Sequence, residues 1–470
     1  MTRERVVVVG GGISGLAAAH ALVAAGVEVV LVEASARTGG VLHAEEVGGV
    51  RVDVGAEAML ARRPEGVDLA RSLGLGGLLV APTAARPAVW RTDGVRPLPS
   101  GTVLGVPGSS TDLSAVLRPD ELAETSRAQA AARSRAVPGR VGDAADDGRD
   151  VSVAEAVARD AGRPVLDLLV EPLLGGVYAG RTERLSLAAT VPVLAAARRR
   201  GEPLSAAVDR AAATGPAPGV PVFTGMDGGM ARLAGAVTED LRAGGAEVRT
   251  GVRVTGLERV VGGWRLRTAG RPLEAAAVVL ALPTTTTARL LAGAVPQAGR
   301  ALADVEVAGV AVVALAVAGL EPTGSGLLVP PVESAASGVD VKAVTFSGAK
   351  WDWVASQGGT GVLRASVGRA GEAGVLQRDD ASLVEKVRRD LAVLLGERHR
   401  HALAAAPAVV ARWGGALPQY APGHLDRVAT VRTAVAFAGG LAVTGAFLGG
   451  VGVPACIAAA RSEVDRLLAG

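Results

Sequence analysis

The chain has 470 residues, length for roughly two or three domains and a large buried core. Apolar residues make up 49% but aromatics only 2%, so Ala, Val and Leu must build that core. A formal charge of +3, with both signs mixed along the chain, argues against a nucleic-acid partner, and the single cysteine, Cys456, excludes an internal disulfide and a cysteine-based metal cluster.

The apolar run 6–9 predicts a buried strand that ends in Gly10-Gly11-Gly12-Ile13-Ser14-Gly15 and passes directly into an Ala-rich helix. Gly10 suits a tight turn, Gly12 lets the main chain approach a pyrophosphate, and Gly15 lets helix and strand pack closely. The helix start supplies free N–H groups and a positive dipole end for phosphates. A second strand, 27–32, ends in Glu33-Ala34, with Glu33 18 residues after Gly15. That spacing suits a carboxylate on an adenosine ribose; it would repel a 2′-phosphate, which favours NAD or FAD. Next come Arg37-Thr38-Gly39-Gly40 and Asp53-Val54-Gly55-Ala56-Glu57-Ala58. Arg37 can offset phosphate charge, and Gly39 and Gly40 let the main chain run along an extended cofactor. A plain NAD dehydrogenase has no use for that second glycine pair.

Further along, 127–150 and 206–220 read as exposed linkers, flanking a helical pattern at 153–170 and a glycine loop at Gly175-Gly176. A helix running to Leu241 precedes a strand into Val252 and Val254, and 332–340 reads as a surface turn region. The apolar run 307–320 is too short to span a bilayer and predicts a buried strand; 434–460 is long enough but broken by glycines and Pro454. With no transmembrane segment and no cleavage-site pattern at the start, a cytoplasmic protein is expected. The chain closes with a strand, a glycine turn and a helix opening at Pro454, where a proline costs no hydrogen bond. Cys456 lies in that helix and reads as packing. His20, His43, His399, His401 and His424 read as solvated or capping residues, and no metal site is expected.

Residues 6–57 resemble the FAD-dependent flavoprotein superfamily of amine oxidases, phytoene desaturases and protoporphyrinogen oxidases. The segment 441–457, with Gly445, Gly449, Gly450, Gly452 and Pro454, is similar to the C-terminal flavin motif of its porphyrinogen-oxidising branch. Glu171-Pro-Leu-Leu-Gly-Gly-Val-Tyr178, Asp227-Gly-Gly-Met230, Lys350-Trp351, 363–369 and 412–420 follow in that branch's order. The likeness covers nearly the full chain and is strongest to the bacterial soluble coproporphyrinogen III oxidases, with protoporphyrinogen oxidases beside them.

The resemblance implies an α/β fold with a discontinuous Rossmann-like FAD-binding domain (1–80, 221–300 and 410–470). A sheet-based substrate domain (81–110 and 301–409) and a mostly helical insert (111–220) would complete it. It implies FAD held by Gly10, Gly11, Gly12, Ile13, Ser14, Gly15, Glu33, Ala34, Arg37, Gly39, Gly40, Gly55, Ala56, Glu57 and Ala58. Val254, Trp413, Gly450, Val451, Gly452 and Val453 would complete the cofactor site. The implied activity is oxidation of coproporphyrinogen III to coproporphyrin III, a six-electron change with O2 as acceptor and H2O2 as by-product, in haem biosynthesis. The porphyrin would then pass to a ferrochelatase. No acid–base pair is required, and the backbone at Gly176 would lie beside the substrate. Four propionates call for cationic anchors: Lys350, Arg364 and Arg181 foremost, with Arg91, Arg96 and Arg369 as further candidates. Ser366 stands where some relatives carry an aromatic residue. Protoporphyrinogen IX as substrate, an amine oxidase or desaturase, and a non-catalytic flavin-binding protein stay open as alternatives. Against the amine oxidases, Tyr178 and Tyr420 are the only tyrosines available to frame a flavin.

Overall fold

A computed structural model describes residues 5–135, 149–214, 220–359 and 361–469. The valine run forms the strand Arg5–Val9, buried on both faces as an inner parallel strand requires. It pairs with Glu28–Val32 on one side and Ala277–Leu280 on the other; Glu247–Arg249 and Leu441–Val443 complete a five-stranded parallel sheet. Val6 and Val8 pack with helices Ile13–Ala24, Ala231–Ala243 and Val453–Ala469, while Val7 and Val9 pack with Thr284–Ala294, Pro296–Ala303 and His424–Ala438. This doubly covered layer is the nucleotide-binding architecture expected of the sequence.

A second sheet has seven strands, in the order Ala408–Pro418, Val307–Ala316, Val362–Val367, Val341–Phe346, Gly326–Leu328, Pro87–Arg91 and Gly94–Pro97. One face buries Val313, Leu315, Val344, Phe346, Leu363 and Ala365 against the helix Asp380–Leu395. Strand alternation turns Val312, Ala314, Ala343, Thr345, Arg364 and Ser366 to the other face, toward the first sheet's cofactor loops. A bulge interrupts the strand between Val341 and Ala343, at Lys342. Between 111 and 220 the described residues form helices and no strand, around a core that includes Val157, Leu166, Leu174 and Leu194.

Several expected boundaries move. The strand Ala408–Pro418 lies wholly in the seven-stranded sheet, so a division at 409/410 would cut it. The linker expected at 127–150 is helical as far as Arg135 (Pro119–Arg135), and that at 206–220 is helical as far as Ala213 (Leu204–Ala213). Residues 136–148 and 215–219 of those stretches lie outside the described residues. The surface turn at 332–340 is largely a helix, Pro331–Ser337, whose Glu333 is buried against Arg91. Gly175 and Gly176 belong to a helix, Glu171–Tyr178, entered through a π-turn at Leu166–Val170; Ala179, at φ +49°, ends it. The strand expected through Val252 and Val254 is two elements, Glu247–Arg249 in the parallel sheet and Val254–Val260 in a hairpin with Gly263–Thr268. Among the described residues no helix is long and apolar enough to cross a membrane.

Candidate functional site

The turn after the first strand needs its glycines. Gly10 has φ +108°, and a Cβ there would lie 2.3 Å from Ala281 O. A Cβ at Gly15 would lie 1.8 Å from Gly10 O, so helix and strand meet at a distance only glycine permits. At Gly12 a Cβ would meet nothing within 4 Å: that edge is open, and Gly12 starts the helix without a side-chain cap. The Gly11 N–H donates to Glu33 Oε2 at 2.7 Å, and Ser35 N–H to Glu33 Oε1, fixing this carboxylate at the strand end beside Ala34. Gly39 N–H donates to Gly11 O, and Gly12 bridges Gly39, so the second glycine pair lies along the first. Arg37 turns back to donate to Thr38 O and Gly40 O.

A second helix start adjoins this one. Val453–Ala469 begins beside the first turn of Ile13–Ala24, where the Cys456 thiol meets Ser14 and burial pushes its pKa up to about 11. The loop before it is held from below by Tyr420 and His424. Tyr420 OH donates to Ala446 O and accepts from Gly450 N–H at 2.9 Å. His424 stacks on Tyr420 at 4.0 Å between centroids, and its Nε2 bonds Phe447 O. His424 is thus buried, not solvated, and burial brings its pKa down to about 4. Tyr178 meets Tyr420 edge-on at 5.4 Å, joining this loop to the helix that bears Gly175 and Gly176. Val451, Gly452 and Val453 form the final turn into the helix, and Val254 packs with Val9 and Val32 under the strand ends.

Between the two sheets, three residues far apart in sequence converge. Glu57 pairs with both Lys350 and Arg364, and Trp351 Nε1 donates to it at 3.4 Å. Burial pushes the Glu57 carboxyl up, but Lys350 and Arg364 outweigh that and bring it to about 2. Arg364 also donates to Gly55 O at 2.7 Å, and Trp413 Nε1 to Val54 O at 2.9 Å, so Gly55, Ala56 and Ala58 run along the inner sheet face. A Cβ at Gly55 would lie 1.9 Å from Val41 O. Asp53, just upstream, accepts from Met230 N–H at the start of Ala231–Ala243; burial raises its pKa to about 6.

The cationic anchors expected from sequence are unequally available. Lys350 and Arg364 share the single carboxylate of Glu57. Arg91 is not an anchor: it is 3% exposed in its side chain, bidentate to Glu121 and bonded to Glu333. Arg96 sits on an edge hairpin beside Asp93. Arg181 pairs with Glu372 and lies 3.5 Å from Glu171. It lines a cavity of about 340 Å³ with Arg163, Asp167, Glu171 and Pro331. Arg369 is buried next to Gly175. Gly176 is exposed, and a Cβ there would meet nothing within 4 Å.

The family model described as flavin containing amine oxidoreductase matches residues 13–468. The chain belongs to that family. The coproporphyrinogen III oxidase of Mycobacterium tuberculosis (strain ATCC 25618 / H37Rv) is 38% identical over 475 residues, covering 100% of this chain and 98% of the relative. That of Mycobacterium leprae (strain TN) is 36% identical, covering 100% and 99%. A crystal structure from Exiguobacterium sp. 255-15, described as a "putative protoporphyrinogen oxidase", matches with a TM-score of 0.81 at 27% identity, covering 99% of this chain and 98% of that one. The chain is therefore a flavin-dependent oxidoreductase, and its cofactor is FAD. The residues present fit that group: an open glycine ledge at Gly12, a carboxylate fixed at the second strand end, an uncapped helix start at Gly12 and an adjoining helix start at Val453.

Proposed function

We propose that this chain oxidises coproporphyrinogen III to coproporphyrin III in haem biosynthesis, using three O2 and releasing three H2O2 per porphyrin. The observation that carries this reading is the 38% identity to the M. tuberculosis coproporphyrinogen III oxidase across the whole of both chains. The open glycine ledge at Gly12 and the Glu57–Lys350–Arg364 cluster beside Gly55 are compatible with it.

Bound FAD supplies the two-electron acceptor and returns the electrons to O2. The protein's share is binding and orientation. Gly10 to Gly15, Gly39 and Gly40 would carry the pyrophosphate, with Arg37 beside it and Glu33-Ala34 at the adenosine ribose. Gly450 to Val453 would approach the flavin ring, where the helix start favours the charge that accumulates on reduction. Glu57, Lys350 and Arg364, with Trp413, would form the flavin-side wall of the substrate space. The exposed flank of Gly176 would face the macrocycle, whose pyrrole proton leaves to solvent, with a backbone carbonyl accepting its hydrogen bond beforehand. We place the protein in the cytoplasm, passing its product to a ferrochelatase; the lack of a membrane-crossing helix among the described residues is compatible with that.

The test is anaerobic mixing of FAD-loaded protein with freshly reduced coproporphyrinogen III. Bleaching of the flavin absorbance, with three flavins reduced per porphyrin formed, supports the proposal. Unbleached flavin in a protein that stays loaded refutes it. Faster bleaching by protoporphyrinogen IX would instead favour the activity named for the Exiguobacterium structure.

A further inference from the structure

Two buried cations beside Gly175 have no answering acid. Lys342 is 4% exposed and Arg369 6%. Among the described residues Lys342 Nζ makes no hydrogen bond and no ion pair within 4 Å. Arg369 donates from Nη2 to Val329 O at 3.2 Å, while its Nε is buried without a partner. The nearby acids face other partners: Glu171 Oε2 accepts from Thr182 N–H and Oγ1 while its Oε1, without a hydrogen bond, lies 3.5 Å from Arg181, and Glu372 pairs with Arg181. Burial first, then the neighbouring Arg369 charge, brings Lys342 down to about 7, with Glu372 only partly opposing them. Arg369 is disfavoured by burial and by Arg181, against Glu372 and Glu171. Two like charges taken out of water without an anion are destabilising unless a ligand completes them.

Their placement says which ligand. Lys342 lies at the bulge between Val341 and Ala343, on the strand that packs against the helix bearing Gly175 and Gly176. Arg369 Nε would lie 3.9 Å from a Cβ at Gly175, one residue before the open flank of Gly176. A planar carboxylate offers two oxygens, one for the free Arg369 Nε and one for Lys342 Nζ. We propose that Lys342 and Arg369 together hold one carboxylate arm of the tetrapyrrole substrate. The assignment rests on the porphyrinogen reading above. It places the anchor apart from Lys350 and Arg364, which already share the Glu57 carboxylate, and adds a lysine that no motif singled out.

The experiment compares FAD-loaded wild type with Lys342→Met, Arg369→Met and Lys342→Arg. It reads kcat and KM for coproporphyrinogen III, and fluorescence-monitored binding of coproporphyrin III and of its tetramethyl ester. Each methionine variant is expected to raise KM and the porphyrin Kd roughly 10- to 100-fold, the range for a charge-assisted contact, with kcat nearly unchanged because the arm is remote from the reacting bridge carbon. Lys342→Arg should recover most of the affinity, and ester binding should be the same in all four proteins. Lys342→Met removes an unpaired buried charge, so its ligand-free melting temperature should rise, which keeps the variant folded for the comparison. Unchanged KM and Kd in flavin-loaded methionine variants, or equal losses for acid and ester, would overturn the anchor while leaving the activity standing. A wild type that neither oxidises coproporphyrinogen nor binds its porphyrin would overturn the activity, and the anchor with it.

Discussion

Glu57 sets the charge balance between the sheets, because Lys350 and Arg364 both depend on it. Replacing it by Gln strips the counter-charge from two cations and is expected to destabilise the fold by about 3–5 kcal/mol, measured by denaturant unfolding. Its folded pKa of about 2 lies below the ordinary 4.5, so its contribution is fully present above 4.5 and is lost as pH falls toward 2. His424 acts earlier on the same descent. Held near 4 when folded against 6.5 when free, it leaves the unfolded chain to take the proton first, so stability falls from pH 6.5 down through 4. In His424→Phe, which keeps the stack on Tyr420, the melting temperature should lose that part of its pH slope; an unaltered slope would remove His424 from the account. Gly12→Asp sets a carboxylate at the open pyrophosphate edge, and the purified variant should lack flavin absorbance.

At the scale of elements, the loop 445–452 is tied to the rest of the site by Tyr420, whose hydroxyl contacts both Ala446 O and Gly450 N–H. Tyr420→Phe frees that loop and should lower stability by about 1–2 kcal/mol, with faster FAD release on dilution. Equal release rates in wild type and variant would contradict this. The first glycine turn was legible in sequence because its function is local: turn, approach and close packing fall within six residues. The helix through Gly175 and Gly176 was not, since paired glycines ordinarily signal a turn and only the packing of Leu174 and Tyr178 overrides that preference. Nor could periodicity reveal the Glu57–Lys350–Arg364 cluster, in which Glu57 stands 293 and 307 positions from its two cations and meets them only when the two sheets face each other. His424 misled for a related reason: nothing beside it in sequence shows that Tyr420 and Phe447 close over it.

Across the whole molecule, both ends and the middle of the chain contribute strands to the parallel sheet, so the cofactor site exists only once distant segments have assembled. FAD touching several of these segments should stabilise them together. Its removal is expected to lower the melting temperature and make it depend on added FAD, by about 2.7 kcal/mol when free FAD reaches one hundred times its Kd. The measurement that tests the central claim most directly is porphyrin fluorescence growth in air with coproporphyrinogen III and protoporphyrinogen IX in parallel. The account predicts faster porphyrin formation from the four-propionate substrate, with one H2O2 for each two electrons removed. No porphyrin above the enzyme-free rate, from a protein that remains loaded with FAD, would contradict it.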